Sequence, residues 1–250
     1  MNKPLMYSGY HAVEALLRHR PEAVLELFVQ DARAERGDAR LQGLIDQART
    51  IGIAVQEARR EVLARHAGPQ HQGVVARARP RRPGDEKALE DVVIREGAAL
   101  RLLVLDGVTD PHNLGACLRS ADATGIHGVV VPRKNACGLT PVACRSAVGA
   151  AESVPYFEVG SLVKVLGRLT ELGVLVAGTA LTEDSTGLFQ WHPDGAVAMV
   201  MGAEGAGMRP GVMECCQALV EIPMHGEVQS LNVSVATGVV LYHLSRSRPG

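Results

Sequence analysis

Three short segments in the second half of the chain combine glycines with a few polar and charged side chains, each after an apolar run. They are NLGACLR at 113–119, VMGAEGAGM at 200–208 and IPMHGEVQSLNVSVA at 222–236. In α/β proteins, ligands bind at the loops that follow the carboxyl ends of strands. The three segments therefore predict one shared binding site, built from turns that are far apart along the chain.

The segment 113–119 has the features of a helix start followed by an exposed arginine. Asp110 and Pro111 precede it, and such residues satisfy free N–H groups and interrupt the preceding structure. Arg119 lies one helical turn beyond Gly115, opposite an apolar face formed by Leu114, Cys117, Leu118 and Ala121. A guanidinium in a cleft can orient a phosphate or hydroxyl group and stabilise negative charge. The alternative is an ordinary solvent-facing arginine.

The segment 200–208 contains GAEGAG, whose composition is close to that of a dinucleotide-binding loop. Its spacing is G-x-x-G-x-G rather than G-x-G-x-x-G, and it follows a late strand, so it argues against a nicotinamide oxidoreductase. Gly202 and Gly205 instead allow the backbone to approach a ligand closely. Glu204 is expected to hold the loop or to contact the substrate. The alternative is a plain turn with a solvated glutamate.

The segment 222–236 ends a strand, forms a loop and opens a helix predicted over 232–244. Ser230 is expected to cap this helix, and capping alone is the alternative reading for Ser230 and Asn232. The helix is apolar nearly all round, which predicts burial or an interface. The loop 178–185 follows another strand and is expected to line the same pocket through Thr179 and Ala180.

Composition limits the class of protein. The 250 residues hold enough apolar side chains for one large or two small cores. No apolar run reaches the roughly 18 residues that a membrane span needs, and the first residues lack the apolar stretch of a secretory signal. Five cysteines without a CxxC pair predict neither a disulfide framework nor a metal site. The expected location is the cytoplasm.

Charge and proline content predict two domains. The net charge is −1, yet residues 1–82 hold 14 Lys and Arg against 9 Asp and Glu, and the remainder holds 12 against 18. A positive N-terminal part suits RNA; scattered solvated charge is the alternative. Two prolines, a glycine and four arginines at 76–87 indicate a linker. The predicted limits are a domain at 1–78, a linker at 79–97 and a second domain at 98–250.

Both domains have an α/β pattern. Apolar runs predict strands at 25–30, 52–56 and 73–77, then at 100–106, 128–132, 174–178, 196–202 and 218–224. Helical spacing predicts helices that include 14–18, 41–51, 113–124, 141–148, 162–172 and 232–244. Strands that alternate with helices imply a parallel sheet in the second domain.

Together the three segments resemble the motifs of the SpoU (TrmH) branch of the SPOUT RNA 2′-O-methyltransferases. Asn113, Gly115 and Arg119 match the N-x-G-x-x-x-R motif of that family. The resemblance implies transfer of a methyl group from S-adenosylmethionine to a ribose 2′-hydroxyl, without a metal. It places Arg119 at the ribose, with Asn113 holding the arginine or the ribose. It also puts Glu204, Ser230 and Asn232 near the reacting groups.

The resemblance extends over essentially the whole chain. It implies cofactor contacts from Thr179, Ala180, Gly202, Gly205, Ile222, Met224, Ser230 and Leu231. It implies a small N-terminal α/β domain similar to ribosomal protein L30e, which binds the RNA substrate. It also implies a C-terminal SPOUT domain with a parallel sheet and a trefoil knot, and a homodimer.

Within this family, the segments 106–132 and 230–238 look especially similar to the bacterial enzymes that methylate a guanosine ribose in 23S ribosomal RNA, in the P loop of the peptidyl-transferase centre. Two alternatives stay open: ribose methylation of tRNA, and RNA binding without catalysis. Methylation assays on tRNA and on 23S fragments distinguish the first alternative from methylation of 23S RNA. Cofactor binding distinguishes an enzyme from the second alternative, a protein that only binds RNA.

Overall fold

The computed structural model describes residues 3–31, 38–228 and 230–246, and the contacts within it divide the chain into two units. The first unit comprises residues 1–82 and 139–153, and the second comprises 83–138 and 154–250. The observed division differs from the domain limits predicted from the sequence at two places. The predicted linker is divided, with residues 79–82 in the first unit and 83–97 in the second, and the segment 139–153 belongs to the first unit.

The described part of the first unit is built around a four-stranded sheet. Its strands are β1 (Leu5–Ser8), β2 (Val24–Gln30), β3 (Ala54–Ala58) and β4 (Val74–Ala78), in the order β1-β4-β2-β3. β2 pairs with β3 in parallel and with β4 antiparallel, and β1 pairs with β4 antiparallel. The helices are α1 (Tyr10–His19), α2 (Ala39–Thr50), α3 (Arg60–Ala67), α6 (Pro141–Ser146) and α7 (Ala150–Ser153). The sequence did not predict β1, α3 or α7.

Buried charged side chains connect the segment 139–153 to the rest of the first unit. The Glu152 carboxylate lies 3.2 Å from a guanidinium nitrogen of Arg20, and its side chain is 3% exposed. The Arg81 guanidinium donates to the carbonyl oxygen of Ala151. Burial raises the pKa of Glu152 against the opposing effect of Arg20 and Arg81, and burial lowers the pKa of Arg81. A buried charge is tolerated only when it is paired, so these contacts fix the segment in place.

The second unit holds a parallel sheet, as the sequence predicts, with seven strands where the sequence predicts five. Its strands are β5 (Arg101–Asp106), β6 (Gly128–Pro132), β7 (Tyr156–Val159), β8 (Leu175–Thr179), β9 (Thr186–Gly187), β10 (Val197–Gly202) and β11 (Ala218–Glu221). Their order is β7-β6-β5-β10-β8-β11-β9. β10 pairs in parallel with β5 on one side and with β8 on the other. β5, β6 and all of β10 except its last residue are buried, which explains their continuous apolar runs.

Helices pack against this sheet. They are α4 (Glu86–Glu96), α5 (Pro111–Ala123), α8 (Leu162–Glu171), α9 (Pro210–Met213) and α10 (Val233–Arg246). Apolar residues of α4 and α8 share one core with residues of β5, β8 and β10. α5 packs against α10, and each also contacts a strand. The trefoil knot implied by the resemblance stays a prediction.

The predicted linker at 79–97 contains a helix instead of an irregular connection. Asp85 caps α4 by accepting a hydrogen bond from the backbone of Ala88, and Gly97 ends it with a positive φ of 51°. Leu89, Val92 and Val93 are buried. Since an amphipathic helix is stabilised mainly by burying its apolar face, α4 belongs to the core of the second unit. The sequence also did not predict β7, β9 or α9.

Candidate active site

The three segments predicted to share a site are joined by one asparagine. The Asn232 Nδ2 atom donates a hydrogen bond to Asn113 Oδ1 and another to Glu204 Oε2, each at 3.1 Å. Asn113 belongs to the first turn of α5, Glu204 to the loop after β10, and Asn232 to the start of α10. Asn113 and Asn232, which are 119 positions apart in sequence, therefore meet at one point, as the sequence predicts.

A cavity of about 450 Å³ opens beside this network, at the carboxyl ends of β8, β10 and β11. This is the edge at which parallel sheets bind ligands. Nine of the residues predicted for the site line the cavity: Thr179, Ala180, Gly202, Glu204, Gly205, Ile222, Met224, Ser230 and Leu231. Asn113 and Asn232 are absent from the lining, and Asn232 reaches the cavity through its hydrogen bond to Glu204.

Most residues that line the cavity are apolar, and its charged side chains are negative. Among the described lining residues, the only charged side chains are those of Glu204 and Glu221. Leu181, Met201 and Val233 add apolar surface beyond the residues that the sequence predicts. A site of this kind favours a ligand with apolar parts and positive charge.

The loop after β10 is a closed turn. The backbones of Ala203 and Gly207 exchange two hydrogen bonds of 3.0 and 2.9 Å. A Cβ atom on Gly202 would lie 2.2 Å from the carbonyl carbon of Gly207 and 2.3 Å from the nitrogen of Met208. Gly202 is therefore required by closure of the loop on itself. Gly205 has a φ of +77° and open space beside it, so its requirement is conformational.

An ion pair that the sequence did not predict holds the end of this loop. Asp106 is the last residue of β5, and its side chain is 0% exposed. Its carboxylate accepts hydrogen bonds from the Arg209 backbone nitrogen at 2.8 Å and from Arg209 Nε at 2.7 Å, and Arg209 Nη2 lies at 2.6 Å. Because β5 and β10 are neighbours with Asp106 opposite Gly202, this pair fixes both ends of the loop.

We expect Asp106→Ala to lower the free energy of unfolding by about 2–3 kcal/mol, because it removes several charge-assisted hydrogen bonds from a buried position. The Arg209 side chain is 49% exposed, so water can solvate the released guanidinium and limits the loss. Asp106→Asn, which keeps acceptor oxygen for the Arg209 backbone, should cost less. Urea unfolding measures both variants, and an unchanged midpoint for Asp106→Ala would contradict this role.

The helix α10 begins later than predicted, and its cap differs from the predicted one. Asn232 Oδ1 accepts from the backbone nitrogen of Ser234 at 2.9 Å and from its hydroxyl at 2.6 Å. The prediction that Ser230 caps the helix is wrong, because α10 begins at Val233 and the preceding residue takes that role. Ser230 lies instead at the cavity. Asn232 thus combines capping with the link between segments.

Arg119 is exposed on α5, as the helical wheel predicts, and it does not line the cavity. Within the described residues it has no hydrogen-bond or ion-pair partner. The opposite face of α5 is buried, and its Cys117 thiol donates to Thr237 Oγ1 of α10 at 3.5 Å. Burial raises the pKa of Cys117 to about 11. This cysteine is therefore a neutral packing residue, and the arginine is one of the polar groups that α5 presents to solvent, with His112 and Asp122.

The described residues hold neither a membrane-spanning helix nor a metal cluster. No helix there is long and apolar enough to cross a membrane. No group of three or more His, Cys, Asp or Glu side chains in the same part of the chain has the arrangement of a metal site.

Comparison with known proteins identifies relatives over the full chain. The model of the SpoU rRNA methylase family matches residues 101–242, and the model for RNA 2′-O ribose methyltransferase substrate binding matches residues 8–84. The 23S rRNA (guanosine-2′-O-)-methyltransferase RlmB of Shewanella oneidensis is 47% identical over 249 residues, covering 99% of each chain. The protein of the same name from Escherichia coli K12 is 46% identical, covering 97% of this chain and 98% of its own.

Solved structures show the same fold. The SpoU methyltransferase AviRb from Streptomyces viridochromogenes, in complex with the cofactor AdoMet, superposes with a TM-score of 0.78 at 23% identity. The alignment covers 97% of this chain and 90% of AviRb. The fold, the hydrogen-bonded link between the three motifs and the full-length sequence matches agree, and this chain belongs to the SpoU rRNA methylase family.

Proposed function

We propose that this protein transfers the methyl group of S-adenosylmethionine to the ribose 2′-oxygen of a guanosine in the P loop of 23S ribosomal RNA. One observation carries the proposal. Asn232 links the Asn113 and Glu204 motifs beside a cavity lined by the predicted cofactor residues. The relatives named as 23S rRNA guanosine-2′-O-methyltransferases support the same substrate.

The cavity fits S-adenosylmethionine by its size, its surface and its charge. Its volume of about 450 Å³ lies within the usual range for small-molecule sites. Leu181, Ile222 and Leu231 offer apolar surface, and the glycine-rich loop offers backbone groups for an adenine edge. Glu204 and Glu221 supply negative charge for a ligand with a sulfonium and an amino group. Bound in this cavity, the cofactor would supply an activated methyl group.

The protein's own residues have two tasks in this reaction. They must hold the ribose in line with the methyl group, and they must ease the loss of the hydroxyl proton. We assign the second task to Arg119, which is exposed and unpaired within the described residues. A guanidinium stays protonated in proteins and is a poor general base. It would instead stabilise the developing alkoxide as the proton leaves.

The first task depends on the hydrogen-bond network. Asn232 holds the Glu204 carboxylate and the Asn113 amide together. Asn113 lies on the same helix as Arg119, so the network fixes the orientation of α5 relative to the cofactor loop. We assign Ser230, whose side chain lines the cavity, to contacts with the reacting groups.

Asn232→Asp should lower the methylation rate by about 10- to 100-fold while leaving stability nearly unchanged. An aspartate accepts from the Ser234 backbone as the amide does, so the helix cap is kept. It cannot donate to Asn113 or Glu204, and it repels the Glu204 carboxylate. Asn232→Ala, which loses both functions, should also lower the free energy of unfolding by about 1 kcal/mol. Methylation rates and urea unfolding of both variants separate the two roles.

We further propose that the protein acts as a homodimer in the cytoplasm, where ribosomal RNA is modified. Val235 and Tyr242 are seven residues apart on α10 and therefore share a face. They are 52% and 57% exposed, and Phe189 nearby is 52% exposed. The rings of Phe189 and of His243 on α10 pack edge to face, with 6.0 Å between their centroids. An exposed aromatic and aliphatic patch supports association, and sedimentation equilibrium should give twice the chain mass.

The substrate is tested by methyl transfer to defined RNAs. Purified protein with radiolabelled S-adenosylmethionine should label a 23S fragment that contains the P loop, and mapping should locate the methyl group on a guanosine 2′-oxygen. Labelling of tRNA alone would overturn the proposed substrate. Absence of cofactor binding by calorimetry would overturn the enzyme assignment in favour of an RNA-binding protein.

A further inference from the structure

A second cavity, of about 780 Å³, lies entirely within the first unit. Two arginines, two histidines, three glutamines and a serine contribute to its lining. No aspartate or glutamate is present among the described lining residues. Such a lining favours an anionic ligand that also carries hydrogen-bonding groups.

The two arginines of this cavity have no acidic partner within the described residues. Arg60 begins α3, is exposed and makes no hydrogen bond or ion pair there. Arg145 belongs to α6, and the one hydrogen bond of its side chain in that part of the chain joins Nη1 to the Ala67 carbonyl oxygen at 3.3 Å. Most of the donor groups of both guanidinium ions thus remain available to a phosphate, which arginine binds through paired N–H groups.

Backbone strain is concentrated at the same cavity. Among the described residues, three that are not glycine have a positive φ, and two of them, Gln72 at 57° and Val148 at 54°, line this cavity. Positive φ is a genuine outlier for a β-branched residue such as valine, and strained residues cluster at binding sites. Gly149, with a φ of +99°, allows this strained turn to approach α1, because a Cβ there would lie 2.9 Å from Ala15 Cβ.

We propose that this cavity binds a single-stranded nucleotide of the RNA substrate, with its phosphate held by Arg60 and Arg145. The inference rests on the proposed function and deepens it. Arg145 lies outside residues 8–84, which match the substrate-binding model, and inside residues 101–242, which match the methylase model. The segment 139–153 therefore completes an RNA site that the N-terminal residues do not form alone. A concave pocket of this kind admits an unstacked nucleotide rather than a duplex.

The test compares three substitutions of one kind in the full-length protein. Arg60→Gln and Arg145→Gln each remove a charge from the cavity. Arg49→Gln removes one from an exposed position on α2 outside it, where the arginine is unpaired within the described residues. Binding of a 23S fragment with the P loop is measured across a range of salt concentrations. Each cavity variant should bind about fivefold more weakly, and its log–log salt slope should be smaller by about 0.7–0.9, as expected for one lost phosphate contact.

Kinetics add a second readout. The cavity variants should raise KM for RNA and leave kcat and the affinity for S-adenosylmethionine unchanged, since this contact is equal in the ground and transition states. If both behave like Arg49→Gln, the proposal is overturned. If Arg145→Gln loosens the fold, Arg60→Gln, which breaks no described contact, decides alone. Failure of the wild-type protein to methylate any RNA would contradict the proposed function, whereas the binding comparison would still decide the cavity.

Discussion

Replacing Arg119 with alanine is expected to reduce methyl transfer by about 10³-fold or more. In the proposed mechanism its guanidinium stabilises the alkoxide that forms as the 2′-hydroxyl loses its proton, and removal of one such donor costs about 10²- to 10³-fold in well-studied enzymes. Because Arg119 carries a full positive charge, its removal should cost an amount near the upper end of this range. Single-turnover methylation of the 23S fragment measures the effect at saturating RNA and cofactor.

The same variant should keep its fold and its affinity for S-adenosylmethionine. Arg119 is exposed, has no partner within the described residues and does not line the cofactor cavity. Calorimetry of cofactor binding is therefore the control. Arg119→Lys, which retains charge without the planar fork, should recover part of the rate. An equal loss of cofactor binding and of methylation would assign Arg119 to the cofactor and contradict the proposed role.

Gly202→Ala is expected to abolish detectable cofactor binding. The added Cβ would lie 2.2 Å from Gly207 and 2.3 Å from Met208, and both contacts are with backbone atoms. A side chain could rotate away, but this backbone can only move by opening the loop that lines the cavity. Overpacking of this kind costs about 1–3 kcal/mol or more. The affinity for S-adenosylmethionine, measured by calorimetry, should fall by at least about 100-fold.

Gly195→Ala is the matched control for that substitution. Gly195 has a φ of +71°, a Cβ atom added there would meet no other atom within 4 Å, and the residue does not line the cavity. Its substitution should cost about 1 kcal/mol through backbone strain and leave cofactor binding intact. If Gly202→Ala binds the cofactor as Gly195→Ala does, closure of the loop after β10 is not what shapes the cavity.

The buried strands could be predicted because their apolar runs are continuous. β5, β6 and β10 are covered on both faces, so almost every position is apolar. β7 has four residues, one of them Glu158, and gives no such signal. Helix α4 had signals, namely a cap at Asp85 and a terminating Gly97. They were outweighed by the prolines and arginines immediately before them.

The residues that line the site could be predicted from the sequence, but the contacts that hold the surrounding loops in place could not. The cavity residues carry motifs that identify a family, and the structure brings nearly all of them together. The ion pair of Asp106 with Arg209 spans 103 positions, and no local pattern indicates such a contact. The transfer of 139–153 to the first unit has the same cause. It depends on the long-range contacts of Glu152 with Arg20 and of Arg81 with the Ala151 carbonyl oxygen, and the apolar character of the buried Ala143 and Cys144 specifies burial but no partner.

The division of the first unit into 1–82 and 139–153 has a consequence for synthesis on the ribosome. Translation releases the chain from its N-terminus, so the first unit lacks part of its core until residue 153 has emerged. By then β5 and β6 have already left the exit tunnel. The first unit is therefore completed only after part of the second has been synthesised, and a fragment that stops at residue 82 would expose apolar surface to chaperones and proteases.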